Sequence, residues 1–571
     1  MRYHALMRTL MVGVLLSACQ GDSQANQAEQ QAVPARPMIL GAASNFSQGW
    51  NEATLQAALA LPVRRYRDSI RWTDVERTIG TYAFDKPSAR YPALLEASGA
   101  RLTLTLNWGN PNYDGGKTPH SAEALAAFGR FAAEAVRRYP AIDAVEIGNE
   151  INGANFVSGA VKEGGLAQRH RYHLAMVRAA RTAIKAERPE VRVLGGAVHS
   201  LPAGFLWKLL AAPGADVIDG LAVHPYTTPV DQLPAQFAVL RKDRRAARLP
   251  IYVTEFGSQN PQTAADDLVR GYAVLAALGV KEMDWYPLNE RGDGMVPLLR
   301  RDQSLTTAGQ AFRFVQEQLA SRPAAPRDID DFTLVRTFGA NVWVVWGAPR
   351  TLKIGAEMTA YDATGSRLDP AGLKILPDKV VILIARAPLI GGRNVHFGCQ
   401  NIIADSFYQF DYTARGGGVP DGSGLERFAE VAGRELLFEV MPGQQRGGVP
   451  WTPYLGHVRF PQLRLQAETM LPAFANAKGA IVHRYIAPEP QRIRLEAEFT
   501  VAQRNGGNIR VTVSQSGRVL RDFASSAEVR LDDTVTVAGG EALTIAVSSD
   551  TSSKNATKYH IRLSEPDKCS H

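Results

Sequence analysis

Cysteine is nearly absent from this chain, with 3 in 571 residues. There is no CxxC pair and no cluster of His and Cys, so a structural zinc site has no support in the sequence. A GxGxxG turn after the first predicted strand is also missing, which argues against a doubly wound dinucleotide-binding sheet. No long Lys/Arg block occurs, so the formal net charge of +8 reads as a mildly basic solvated surface and no nucleic-acid partner is expected. Internal repeats are absent as well. The leading apolar run, Leu10 to Leu16, is far too short to span a bilayer as a mature helix.

What is present is ordinary for folded protein: 45% hydrophobic and 21% charged residues, in a length that implies two or three domains. The first residues follow another logic. Arg2 and Arg8 precede the apolar run, and Leu16-Ser17-Ala18-Cys19 closes it in a pattern that resembles a bacterial lipobox. The expectation is a signal peptide over 1–19, lipidation at Cys19, a flexible tether over 20–36 and an exported, membrane-anchored protein. Gln20 after the lipidation site leans towards the outer membrane. In an oxidising compartment the remaining two cysteines, Cys399 and Cys569, are candidates for a disulfide that brackets the C-terminal region.

From Met38 to about Ala320, short apolar runs alternate with amphipathic stretches. Strands are predicted at Met38–Ala43, Val63–Tyr66, Leu102–Leu106, Ala144–Ile147, Val191–Ala197, Ile218–Val223, Ile251–Thr254 and Glu282–Tyr286. Helices are predicted at Ala122–Arg138, Ala167–Glu187, Pro234–Ala247 and Thr263–Leu278, where apolar residues recur every three or four positions. Eight βα units point to an α/β fold, a (β/α)8 TIM barrel over 37–321. Beyond Arg322 the texture becomes β-rich, giving a small β-domain over 322–385 and a C-terminal β-sandwich over 386–571.

Two acidic residues stand out within that frame. Glu150 follows the strand Ala144–Ile147 directly, and Glu255 ends the strand that begins at Ile251. Functional side chains of a barrel gather at the C-terminal ends of its strands, so both fall on one face. Two such glutamates facing each other across a sugar form a complete glycosidase pair, one protonating the leaving oxygen and the other attacking the anomeric carbon.

On Gly148-Asn149-Glu150 and Thr254-Glu255-Phe256-Gly257 the sequence resembles the clan A retaining glycoside hydrolases. Further matches are Arg67-Asp68-Ser69 with Trp72 and Glu76, Asn110-Pro111-Asn112-Tyr113, His224-Pro225-Tyr226, and Trp285. Together these look most like the family 39 glycosidases and their relatives in bacterial exopolysaccharide gene clusters, over residues 38 to 385. The resemblance implies Glu150 as acid/base and Glu255 as nucleophile, with no metal and no cofactor. It further implies Arg67 as the cation that keeps Glu255 ionised, Asn149 as a hydrogen-bond donor to the sugar 2-hydroxyl, and Tyr226 and His224 as pocket residues. Trp72, Trp108 and Trp285 are the candidate stacking faces, Trp285 foremost. Glu150 is expected to sit where its carboxyl stays protonated. Two departures are Gly148, where many relatives carry Trp, and Ile151, where Pro is common.

The function expected is a retaining endo-glycosidase acting on a bacterial polysaccharide, with transglycosylation as a neighbouring outcome. The rival reading is a non-catalytic polysaccharide-binding envelope lipoprotein of an export machine. In the C-terminal block, Tyr408, Phe410, Tyr412, Trp451 and Tyr454 either bind carbohydrate or fill the sandwich core.

Overall fold

The computed structural model describes residues 36–413, 424–474, 478–502, 507–550 and 555–569. Cys19, the signal peptide and the tether before residue 36 lie outside the described residues.

Eight parallel strands close into a barrel in sequence order: β1 (Ile39–Ala43), β2 (Arg65–Ser69), β3 (Arg101–Leu106), β4 (Ile142–Ile147), β5 (Arg192–His199), β6 (Gly220–His224), β7 (Ile251–Phe256) and β8 (Glu282–Trp285). β8 pairs back onto β1, with Ile39 opposite Glu282. Helices outside the barrel cover the strands, which explains why β6 and β7 are buried along their whole length. In helix Ala122–Arg138, Ser121 caps the first turn by accepting from the Ala124 backbone N–H, and Ala124, Phe128, Phe131 and Ala135 form the buried stripe. That stripe approaches helix Gly165–Glu187 closely at Gly129, where a Cβ would lie 2.7 Å from the Ala179 carbonyl oxygen. The helix expected over Pro234–Ala247 is two, Leu233–Leu240 and Arg244–Arg248. Asp243 divides them, because its carboxylate caps the second by accepting from the Arg245 and Ala246 N–H groups.

β2 corrects the expectation of an apolar strand over Val63–Tyr66. It is the polar segment Arg65–Ser69, and its arginines are buried in the barrel interior with carboxylate partners. Arg65 pairs with Asp143 and with Glu282, and Thr103 donates to Glu282 at 2.7 Å. Buried charges persist only when paired and hydrogen-bonded, so the alternation of apolar and polar residues fails as a guide where ion pairs fill a barrel.

Past helix Thr307–Gln318 the chain is antiparallel β-structure. A five-stranded sheet and a three-stranded sheet share a separate apolar core that includes Val335, Trp343 and Leu383. Strand Val395–Phe397 pairs with Arg350–Ile354, so these sheets run past Ala385. Two larger sheets follow, assembled from strands between Ile402 and Ser564. Cys399 and Cys569 form a disulfide with a Cα–Cα distance of 5.6 Å, beside the pairing of Ile402–Asp405 with Thr557–Ser564. Phe410, Tyr412 and Tyr454 are buried here and serve the core, whereas Trp451 is 39% exposed. Among the described residues no helix is long and apolar enough to cross a membrane.

Candidate active site

The mouth of the barrel is built on a polar layer one turn of strand below it. Glu146 of β4, fully buried, accepts from Arg67 Nε at 2.7 Å, Thr105 Oγ1 at 2.9 Å and Thr254 Oγ1 at 2.9 Å. Burial alone would raise its carboxyl, but Arg67 and His224 hold it well below the usual carboxylate range. Glu146 is therefore a fixed anion that anchors two cations, and neither Glu146 nor Thr105 was singled out from the sequence.

Glu255, at the end of β7, is gripped on both oxygens. The Arg67 guanidinium donates to Oε1, and Tyr226 OH donates to Oε2 at 2.9 Å. Arg67 also donates from Nη2 to Asn149 Oδ1 at 2.8 Å, which orients that amide and leaves its Nδ2 donors for a ligand. One planar guanidinium thus ties β2 to β4 and β7, a use of its forked donors that lysine does not reproduce.

Glu150 sits on a different kind of support. After β4 the chain turns sharply through Gly148 at φ +85° and Glu150 at φ +44°. A left-handed conformation costs a non-glycine residue about 1–3 kcal/mol and survives only where its surroundings enforce it. Here Asn149 N–H is held by Asn107 Oδ1 at 3.0 Å and Ile151 N–H by the Ala197 carbonyl at 3.0 Å. Ala197 belongs to a β-bulge in β5, where the register with β6 shifts between Gly196 and Val198. The bulge is fixed by His173, whose Nε2 accepts from Gly196 N–H at 2.9 Å; burial lowers this imidazole to about 4 and keeps it neutral for that task. Bulges re-aim side chains near sites. This one precedes His199, whose Nδ1 lies 2.8 Å from Glu150 Oε1.

His224 lies under both carboxylates, its Nδ1 3.6 Å from Glu150 Oε1 and 3.7 Å from Glu255 Oε2. Burial disfavours a charged imidazole, yet Glu255, Glu146 and Glu150 together push it up to about 9, so it is a cation at neutral pH. The effect on Glu150 overturns the expectation of a protonated resting acid. Burial favours the neutral carboxyl, but hydrogen bonds and charge from His199 and His224 bring it down to about 2.

One oxygen each of Glu150 and Glu255 and one His224 nitrogen lie within 4.8 Å of one another. The same three groups would span a metal ion geometrically, but Arg67 and cationic His224 already supply positive charge there. Both carboxylates remain reachable, with 18% and 11% of their side-chain surface exposed. They lie at the junction of two hollows. One of about 180 Å³ is lined by Arg67, Asn149, Trp108 and Arg291. The other, about 750 Å³, is lined by His199, Tyr226 and Thr228. A third hollow of about 640 Å³, where barrel and C-terminal sheets meet, shares Val230, Asp267 and Glu468 in its lining with the second.

Two of the three expected stacking residues do not face this cleft. Trp285 and Trp72 are buried, at 0% and 1% exposure. The Trp285 indole donates to the Val296 carbonyl at 2.9 Å, and Trp72 stacks between Tyr113 and Phe131 while donating to Glu76 at 2.6 Å. Both serve packing, as does the Asn110–Tyr113 segment, which with Trp72 closes around Glu76. Trp108, half exposed and 5.9 Å from the Phe156 ring, does line the cleft. Signals for the residues that sequence reading missed were weak: His199 lies past the apolar run that marked β5, and Phe156 is a lone aromatic in a loop.

A closed (β/α)8 barrel with a close carboxylate pair at its mouth is the architecture of many sugar-cleaving enzymes. No family model and no curated protein matches the sequence. Among solved structures, a family 39 glycoside hydrolase from the gut symbiont Bacteroides cellulosilyticus matches with a TM-score of 0.51 at 18% identity, over 62% of this chain and 82% of that one. A family 30 endoxylanase from Clostridium papyrosolvens matches with a TM-score of 0.46 at 11% identity, over 62% and 98%. A monomeric beta-xylosidase from Caulobacter crescentus gives 0.43 at 14% identity, over 90% and 97%. The chain is similar in fold to the first of these.

Proposed function

We propose that this protein is a retaining glycoside hydrolase that cuts within a polysaccharide chain, with Glu255 as nucleophile and Glu150 as acid/base. The observation that carries the reading is the close approach of the carboxylates: one oxygen of each lies within 4.8 Å of one of the other, which favours the roughly 5–5.5 Å group spacing of retaining enzymes over the about 6.5–9.5 Å that inverting enzymes need to admit a water. The solved structure with the same fold is named as a family 39 glycoside hydrolase, which supports the reaction class.

In the first step a Glu255 oxygen bonds to the anomeric carbon while the bond from that carbon to the leaving oxygen breaks and Glu150 gives that oxygen its proton. In the second, Glu150 takes a proton from water, the water oxygen bonds to the anomeric carbon, and Glu255 leaves with its electron pair. Arg67 and Tyr226 disperse charge on Glu255 in both steps. Because Glu150 rests ionised, one proton from solvent enters a site that sets two cations, Arg67 and His224, against the carboxylates of Glu146, Glu150 and Glu255, and the second step returns that proton to Glu150. Both carboxylates line two hollows, which favours an internal segment of a long glycan over a chain end. Bacterial exopolysaccharide is the proposed substrate class, and the lipobox at Cys19 supports action from an anchored position on the envelope.

The test is reducing-end release from a panel of bacterial exopolysaccharides and β-glycans by the protein beside its Glu255→Gln variant. Release that falls at least about a hundredfold in the variant supports the reading. Equal release would overturn the nucleophile, and silence of the parent on every glycan would favour the binding lipoprotein.

A further inference from the structure

The acid/base carboxylate is not held by the barrel alone. Asn152, two residues after Glu150, clamps His199 from both sides: its Oδ1 accepts from His199 N–H at 2.9 Å and its Nδ2 donates to the His199 carbonyl at 3.1 Å. The same Nδ2 also donates to Gln444 Oε1 at 2.8 Å, and Gln444 Nε2 donates back to the Asn152 carbonyl at 3.3 Å. Gln444 belongs to the loop between strands Glu439–Met441 and Tyr454–His457 of the C-terminal region, 292 residues away in sequence. It is 5% exposed and held at φ +46°, another strained non-glycine position tied to this site.

The loop that carries Gln444 is seated firmly. The Gly204 N–H, in the first turn of helix Ala203–Ala211, donates to the Pro442 and Gly443 carbonyls at 3.1 and 3.0 Å. Lys208 Nζ donates to the Gln445 carbonyl at 2.6 Å. At Gly204 a Cβ would lie 2.5 Å from the Gly443 oxygen, so backbones approach here as only glycine allows. A few residues on, the same loop presents Trp451. Its indole packs edge-on against His199 with centroids 5.2 Å apart, and a Cβ on Gly153 would touch it at 3.4 Å. Unlike Trp72 and Trp285, this indole keeps 39% of its surface exposed.

Resting on the glycosidase reading, we infer that the C-terminal β-domain completes the active site on the leaving-group side, Gln444 positioning the acid/base through Asn152 and His199 and Trp451 giving the departing sugar a stacking face. The leaving half of the substrate must lie beside Glu150, its proton donor, and Trp451 packs on the imidazole that touches Glu150. The ligand of this subsite is a pyranose ring of the glycan, read by its apolar face. Gln444 is a positioning residue, because it acts through Asn152.

The experiment uses the full-length protein, with the glycan that gives the most reducing ends and a 2,4-dinitrophenyl glycoside of the same sugar, whose leaving group carries no pyranose and needs little protonation. Trp451→Ala is expected to lower kcat/KM on the glycan, relative to the aryl glycoside, by about tenfold, mainly through KM, with Trp451→Phe recovering most of the loss. Gln444→Leu is expected to move the alkaline limb of kcat/KM to higher pH, because a released His199 no longer holds the Glu150 carboxyl down. An unmoved ratio in Trp451→Ala would overturn the stacking face; an unmoved limb in a folded Gln444→Leu protein would overturn the positioning chain. If Gln444→Leu does not fold, Trp451→Ala, which alters an exposed side chain, still decides. Failure of the parent to cleave any glycan would overturn the underlying reading instead, so the two failures are told apart.

Discussion

Glu255 and Glu150 face each other across one cleft, yet they are supported in opposite ways. Glu255 lies at the end of β7, whose register with β8 shifts between Val253 and Phe256, and is fixed by an arginine and a tyrosine from β2 and the turn after β6, all parts of the barrel. Glu150 occupies a left-handed turn, is supported by a bulge in the next strand, and is flanked by two imidazoles, one of which is braced from the C-terminal region. The comparison teaches how one fold assigns two jobs to one residue type. The nucleophile candidate has a two-sided grip, one oxygen on a permanent guanidinium and the other on a phenol. An acid/base must change protonation state in every turnover, and Glu150 is held by imidazoles, not by a guanidinium.

The largest effect that would sharpen this contrast is removal of each carboxylate in turn. Glu255→Gln is expected to lower kcat on glycan and on a dinitrophenyl glycoside alike, each by about a hundredfold or more, in steady-state assays. Glu150→Gln is expected to cost on the order of 10² to 10⁴-fold on the glycan but far less on bond cleavage in the dinitrophenyl glycoside, read as a pre-steady-state burst of dinitrophenol. Equal losses on both substrates for both variants would erase the distinction between the two glutamates.

The next effect is in pH. His199→Phe removes the hydrogen bond that helps bring Glu150 down to about 2, so its carboxyl rises and the alkaline limb of kcat/KM moves to higher pH.

A third prediction concerns stability. His224 is raised from 6.5 to about 9 in the folded protein, so its contribution is fully present below pH 6.5 and is lost as pH climbs through 9. Denaturant unfolding should show stability falling by about 3 kcal/mol over that window, and His224→Gln should flatten the slope. His173, lowered to about 4, gives the opposite sign: its contribution is present above pH 6.5 and lost as pH falls through 4. The smallest effect on catalysis is expected from Cys399→Ser with Cys569→Ser, which opens a disulfide of sequence separation 170. It should cost the C-terminal sheets about 2–5 kcal/mol, read by thermal unfolding, with Glu255 chemistry on the dinitrophenyl glycoside little changed.

The sequence made the barrel legible because parallel strands buried on both faces read as apolar runs, and Glu150 and Glu255 were legible as acids at the ends of two of them. Other parts were hidden for physical reasons. β2 was displaced because its apolar signal is replaced by buried Arg65 and Arg67, whose partners Glu282 and Glu146 lie on strands far along the chain. His199 escaped because the bulge at Gly196 to Val198 carries β5 beyond the run that marks it. Trp72 and Trp285 were assigned to sugar stacking, yet a tryptophan at a strand end packs inward as readily as outward, and only burial decides. The brace from Gln444 joins segments with no shared periodicity, so no local pattern announces it.

The central claim is that Glu255 and Glu150 lie close enough for a double displacement. It is tested most directly by recording proton NMR spectra during the first moments of glycan cleavage, before the new reducing end equilibrates. The account predicts a first-formed product with the same anomeric configuration as the bond that was cut; a first-formed product of the opposite anomer would contradict it.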